Sequence, residues 1–202
     1  CATGSPATSN SVIMTVNPSS ITVNLTLFLE GLYAGSGTMN PVQDNAGAHW
    51  GASVADKINV ELHSASSYST IIYTASNISL NTDGSVSFVV PGTYNGSYYI
   101  TIKHRNSIET VSASAISFAS GSVTYNFSDM ATRAYGSNLV KMTDNKWVVY
   151  AGDVNQDGTI NQDDMDLVAG DAAGFDTGYI VTDVNGDSII DAEDLIIVDG
   201  NA

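Results

Sequence analysis

A single cysteine, Cys1, stands in the 202 residues, so no disulfide can form within the chain and its fold must rest on packing or on bound ions. No run of 18 or more apolar residues occurs, which excludes an apolar membrane-spanning helix within these residues. Positive charge is scarce. Six Lys and Arg stand against 21 Asp and Glu, giving a net charge of -15, a balance that argues against nucleic acid as a partner. Helix formers are few, whereas Ser, Thr, Val, Ile, Tyr and Gly abound, which predicts a mainly β chain. There is also no G-x-S-x-G, no H-E-x-x-H and no phosphate-binding Gly loop.

The charge is unevenly spread. Residues 152–202 hold 13 acids and no Lys or Arg, whereas residues 1–151 hold 8 acids and 6 bases. A disordered acidic tail would lack regularly spaced Ile, Leu and Val, and this one has them. A folded module with so many packed carboxylates needs counter-ions, and two divalent cations would bring its -13 to -9. Metal binding is therefore expected to be a condition of its folding.

Three segments follow from the patterning. Residues 1–20 open with a polar tether, CATGSPATSNS, continue into SVIMTV and close on Asn17-Pro18-Ser19-Ser20. Cys1 followed by such a tether is a candidate lipid attachment site of a mature lipoprotein, or simply the point where processing began. SVIMTV either opens its own sandwich or serves as a donor strand that completes the sheet of a neighbouring copy.

Residues 21–150 form the second segment. Ile21, Val23, Leu25, Leu27 and Leu29 alternate on one face of a strand. A Gly-rich connection over residues 33–56 precedes further strand signals: KINVELHSA (Ile58, Val60 and Leu62 on one face), STIIYTA, SVSFVVPGTY, SYYITIKHR, the pair VSASAISFA and GSVTYNFS around Gly121, and NKWVVYAG. About seven or eight strands joined by short turns predict an antiparallel β-sandwich.

Residues 151–202, the third segment, contain an internal repeat. DVNQDGTINQDD from Asp153 and DVNGDSIIDAED from Asp183 are spaced 30 residues apart. Calcium takes six to eight oxygens, and a twelve-residue loop supplies them from positions 1, 3, 5, 7, 9 and 12. The first loop offers Asp153, Asn155, Asp157, the carbonyl of Thr159, Asn161 and Asp164. The second offers Asp183, Asn185, Asp187, the carbonyl of Ile189, Asp191 and Asp194. Two calcium ions are thus the expected cofactors. Ile160 and Ile190 at position 8 are expected to pair between the loops. Short helices that start at Asp164 and Asp194 should bring Met165, Leu167 and Val168 against Leu195, Ile196 and Val198. Ser188 at position 6, where Gly normally permits a sharp turn, predicts a strained second loop.

An ordinary EF-hand has a helix before each loop, but NKWVVYAG and DTGYIVT read as extended segments. One-helix loops and Asp at position 12 resemble the type I dockerin module over residues 151–202. The sandwich, through FLEG, the GSVSFVVPGTYNGSYYITIKHR hairpin order and its direct hand-over into the acidic module, resembles the prealbumin-like or carboxypeptidase regulatory-like domains that precede dockerins in Bacteroidetes-type surface proteins. These resemblances imply an extracellular or outer-surface protein. The dockerin positions that contact a cohesin are here Gln162, Asp163, Ala169, Gly170, Ala192 and Glu193, with no Lys-Arg pair. Calcium binding follows from the resemblance; cohesin binding does not.

No catalytic residue is assigned. His49, His63 and His104 lack partners at ligand spacing and are read as structural or surface residues, and Trp50, Tyr98, Tyr99 and Trp147 chiefly as sandwich filling rather than a sugar platform. Asn24, Asn77, Asn95 and Asn126 are glycosylation candidates. The expectation is a non-enzymatic, calcium-rigidified surface module or fibre subunit, with copies of itself as partner. The alternative is a dockerin-type module that binds another surface protein or a glycan.

Overall fold

Alternating apolar side chains build the first strand, where Ile21, Val23 and Leu25 are buried and Ser20 and Thr22 face solvent. The computed structural model describes residues 19–202; the expectations for Cys1, the tether and SVIMTV lie outside the described residues. Seven strands of five residues or more are present among the described residues: β1 (Ser20–Thr26), β2 (Val54–Ser64), β3 (Ser67–Asn81), β4 (Ser85–Pro91), β5 (Ser97–His104), β6 (Ser107–Val111) and β7 (Ser122–Asn126). Two helices follow, α1 (Gln162–Gly174) and α2 (Ala192–Asn201).

The strands form two sheets. One has the order β7-β1-β4 and the other β6-β5-β2-β3, with Ile116–Ser117 also pairing on β5. Ile21, Val23 and Leu25 join Val86, Phe88 and Val90 of β4, Ile58, Val60 and Leu62 of β2, and Ile100 and Ile102 of β5 in one core. Each such side chain removed from water contributes roughly 1.5–3 kcal/mol. The chain is a mainly β sandwich closed by two C-terminal helices.

Several expectations need correction. The sandwich is not wholly antiparallel, because β7 lies parallel to β1 with Val23 opposite Val123 and Leu25 opposite Tyr125. A parallel pair needs a long crossover, and the chain makes it by passing through the second sheet before β7. VSASAISFA and GSVTYNFS accordingly do not pair with each other; the turn at Gly121 (φ 73°) carries the chain from one sheet to the other. Likewise β4 and β5 belong to different sheets and are not a hairpin. The 33–56 connection carries two small ladders, Tyr33–Gly35 with Thr38–Met39 and Gln43–Asp44 with Gly47–Ala48. Of NKWVVYAG only Trp147–Val148 is a strand, paired with Val140–Lys141. DTGYIVT is not extended: it turns, with one bridge from Thr177 to Ile189.

In the helical module α1 and α2 begin two residues earlier than expected, so Asp164 and Asp194 are the third helical residues. Val168 and Val198 meet in a small apolar core with Val154, Ile160, Val184 and Ile190. Met165 and Leu195 pack against that core as expected, whereas Leu167 (47% exposed) and Ile196 (69%) lie on the outer faces of their helices and point to solvent. Ile160 and Ile190 share that core, but no backbone bridge joins them among the described residues; the second loop pairs with Thr177.

Candidate metal centre

Both twelve-residue loops take one shape, and hydrogen bonds to their own carboxylates set it. Asp164 Oδ1 accepts from the N–H groups of Val154 and Asn155, and its Oδ2 from Asn161 N–H at 3.0 Å. Asp194 does the same with Val184, Asn185 and Asp191, again at 3.0 Å for the last. Asn155 and Asn185 each accept the N–H of the Asp two residues on, and Asp157 and Asp187 accept those of Thr159 and Ile189. Asn161 and Asp191 close the circuit as N-caps of α1 and α2, in capping boxes completed by Asp164 and Asp194.

Asp153, Asp164, Asp183 and Asp194 are buried. Burial is the largest influence on Asp153, Asp183 and Asp194 and raises all three, Asp183 to about 6. A buried carboxylate without a counter-charge is costly, and a cation among these oxygens would remove that cost. Among the described residues no three His, Cys, Asp or Glu side chains gather into a closed cluster. The expected ligand sets mix carboxylates with the amides of Asn155 and Asn185 and the carbonyls of Thr159 and Ile189, as hard cations accept.

Backbone conformation separates the loops. Each needs left-handed residues at positions 4 and 6, and each has only one glycine there. The first has Gln156 (φ 59°) and Gly158 (φ 88°); the second has Gly186 (φ 76°) and Ser188 (φ 75°). Ser188 is thus held where side chains are disfavoured. Gly186 is fixed by packing, since a Cβ there would lie 2.4 Å from Leu32 Cδ2.

That contact belongs to a joint between the second loop and the sandwich that the sequence reading missed. Gly31 lets the chain pass Val184, whose carbonyl would lie 2.1 Å from a Cβ at position 31. Gln43 N–H donates to the Gly186 carbonyl, and Asn106 Nδ2 donates to the carbonyls of Val181 and Asp183. Tyr179 donates to Asp56 Oδ1 at 2.7 Å, stacks on His49 at 4.3 Å and lies under Arg105. Arg105 donates through Nε to Asp56 and through Nη1 to the Ile180 carbonyl. Burial pushes the Asp56 carboxyl up, but the hydrogen bond and charge of His104, the charge of Arg105 and the hydroxyl of Tyr179 outweigh it and hold it well below the usual range. Tyr179 is pushed up to about 12 by burial and by Asp56. Loop one, by contrast, faces solvent from Asn155 to Thr159.

The remaining candidates disperse. His49 pairs with Asp44, and His63 lies between Glu61 and the Tyr68 carbonyl. His104 links Asp56 Oδ2 and Ser107 Oγ, each at 2.9 Å. That is the connectivity of an acid–base–nucleophile relay, but the Ser107 hydroxyl and His104 are both buried. Tyr98 packs edge-on against Phe118, while Tyr99 meets Tyr68 at 80°, so Tyr98 and Tyr99 do not form one flat platform. Trp50 packs against His49 and Tyr179 in the joint, and Trp147 is half-buried against the core. Among the sequons, Asn77 is exposed; Asn24, Asn95 and Asn126 are half-buried, and Asn126 Oδ1 accepts from Ser128. Gln162, Asp163, Ala169, Gly170, Ala192 and Glu193 are all exposed.

No family model matches the sequence, and a comparison with curated proteins returned no match. Among solved structures the fold is similar to a chain in the crystal structure of a type II Cohesin-X-Dockerin complex from Acetivibrio cellulolyticus, an N-terminal interface mutant (TM-score 0.51, 17% identity, 90% of this chain and 94% of that chain). A chain in the C-terminal interface mutant of that complex gives a TM-score of 0.46 at 18% identity, covering 90% of this chain and 94% of that chain.

Proposed function

We propose that this chain is a non-enzymatic, extracellular, protein-binding module that binds two calcium ions. Asp153, Asn155, Asp157, Thr159, Asn161 and Asp164 would hold one, and Asp183, Asn185, Asp187, Ile189, Asp191 and Asp194 the other. The carrying observation is the matched network of N–H bonds around the buried carboxylates of Asp164 and Asp194, in two loops of different sequence. Calcium would supply the positive charge those oxygens lack. The chain's own part is to aim the oxygens, to start α1 and α2 from the ligand-bearing caps, and to seat the second loop on the sandwich.

Support for protein binding comes from the fold shared with a chain of a Cohesin-X-Dockerin complex and from apolar side chains displayed on the module, Leu167, Phe175, Val181 and Ile196. Calorimetric titration with calcium tests the reading. The native chain should bind two ions, and Asp157→Ala and Asp187→Ala should each leave one; absence of binding to the native chain would overturn it.

A second reading, a fibre subunit assembled by strand addition, draws on the open edges of the three-stranded sheet, where β4 and β7 have no further ladder partner among the described residues. Deleting residues 1–20 should then leave monomers in size-exclusion chromatography, and unchanged assembly would remove the idea.

A further inference from the structure

The two loops differ in what neutralises them. The first has three carboxylates in its ligand set, Asp153, Asp157 and Asp164, and none of them forms an ion pair among the described residues. The second has four, because Asp191 stands where the first has Asn161. Beside that second set lies a guanidinium. Arg105 comes from the end of β5, and Asp56 and the Ile180 carbonyl fix two of its nitrogens. Its third, Nη2, is buried, has no hydrogen-bond partner, and lies 3.9 Å from Asp183 Oδ2. No other buried side-chain nitrogen or oxygen among the described residues lacks a partner.

We infer that Arg105, shared between Asp56 and the second loop, is a resident counter-cation for Asp183: it keeps that loop seated on the sandwich when calcium is withdrawn, leaving the first loop as the calcium-dependent one. The inference rests on the calcium reading above. It follows from position, since the one guanidinium nitrogen that Asp56 and the Ile180 carbonyl leave unpartnered is the one that faces Asp183. It follows also from packing within the loops, because Gln43 and Asn106 bond the carbonyls of Gly186 and Asp183 without an ion, whereas loop one bonds the sandwich only through Gln156, to the Ser107 carbonyl, among the described residues and is exposed from Asn155 to Thr159. A fixed cation near a ligand oxygen also opposes an incoming one, so Arg105 lowers the second loop's calcium affinity below what its four carboxylates would give.

The test combines hydrogen exchange with calcium calorimetry on the full chain. In chelator, amides of residues 183–191 should stay protected while those of 153–161 exchange. In an Asp157→Ala background, which leaves only the second loop competent, Arg105→Gln should tighten calcium binding about tenfold and abolish the chelator-resistant protection, whereas Arg105→Lys should retain more of it. Because Arg105→Gln leaves Asp56 short of a partner, the paired change Asp56→Asn with Arg105→Gln is measured too, and it should tighten binding in the same direction. Simultaneous loss of protection in both loops of the native chain, or unchanged or weaker affinity in both Arg105→Gln proteins, would overturn the inference. Failure of the calcium reading is distinct: the native chain would then give no binding heat and identical exchange in calcium and chelator.

Discussion

At the residue scale, Ser188 and Asp56 carry opposite kinds of cost. Ser188 occupies a left-handed conformation that glycine adopts freely, so Ser188→Gly should stabilise the protein by about 1 kcal/mol, read as a higher melting temperature with or without calcium. Asp56 is buried against His104, Arg105 and Tyr179. Its replacement by Asn leaves Arg105 short of its carboxylate and should cost about 3–5 kcal/mol in denaturant unfolding. The two acids also set opposite pH dependences. Asp56 is held below its ordinary value when folded, so its contribution is present above about pH 4 and is lost as the pH falls. Without metal Asp183 is raised to about 6, so the folded state is favoured below about pH 4 and loses that contribution as the pH rises through 6. Chelated protein should therefore lose stability between pH 4 and 6 while calcium-loaded protein does not; parallel pH profiles from thermal melts would contradict this.

At the element scale, the loops were legible because their spacing is chemical: oxygen-bearing residues at fixed positions recur 30 residues apart. Strands such as β1, β2 and β4 were legible from alternation, since Val23, Val60 and Phe88 sit on faces that must be dry. Pairing was not legible. The parallel partnership of β1 and β7 depends on where the chain crosses between sheets, and no periodicity within either strand encodes that. The joint was hidden for the same reason. Asp56, Arg105 and Tyr179 are up to 123 positions apart in the chain, and each alone reads as an ordinary surface residue. The exchange of glycine between loop positions 4 and 6 was half visible: Ser188 stood out, but only the approach of Leu32 explains why Gly186 holds position 4. Gly186→Ala should force that contact apart, costing about 1–3 kcal/mol and loosening the second loop in hydrogen exchange while α1 stays protected. Equal protection in both proteins would show that the joint tolerates the added methyl.

At the scale of the whole molecule, a chain of net charge -15 places 13 of its acids in residues 152–202, with no base among them. Hydrophobic closure there is slight, with Val168 and Val198 at the centre of a small core, so the loops must be held by something other than apolar area. On the proposed reading two calcium ions and the Arg105 joint would do so. Ligand linkage gives about 2.7 kcal/mol per site at a hundredfold excess of calcium over the dissociation constant, so chelation should melt the first loop and α1 well before the sandwich and the second loop seated on it, in two separable transitions. Among the described residues no helix is long and apolar enough to cross a membrane. The most direct test of the account is an anomalous difference map from a crystal grown in calcium. Two peaks should appear, one between Asp153 and Asp164 and one between Asp183 and Asp194; a map without density at either loop, in a crystal whose loops are ordered, would contradict it.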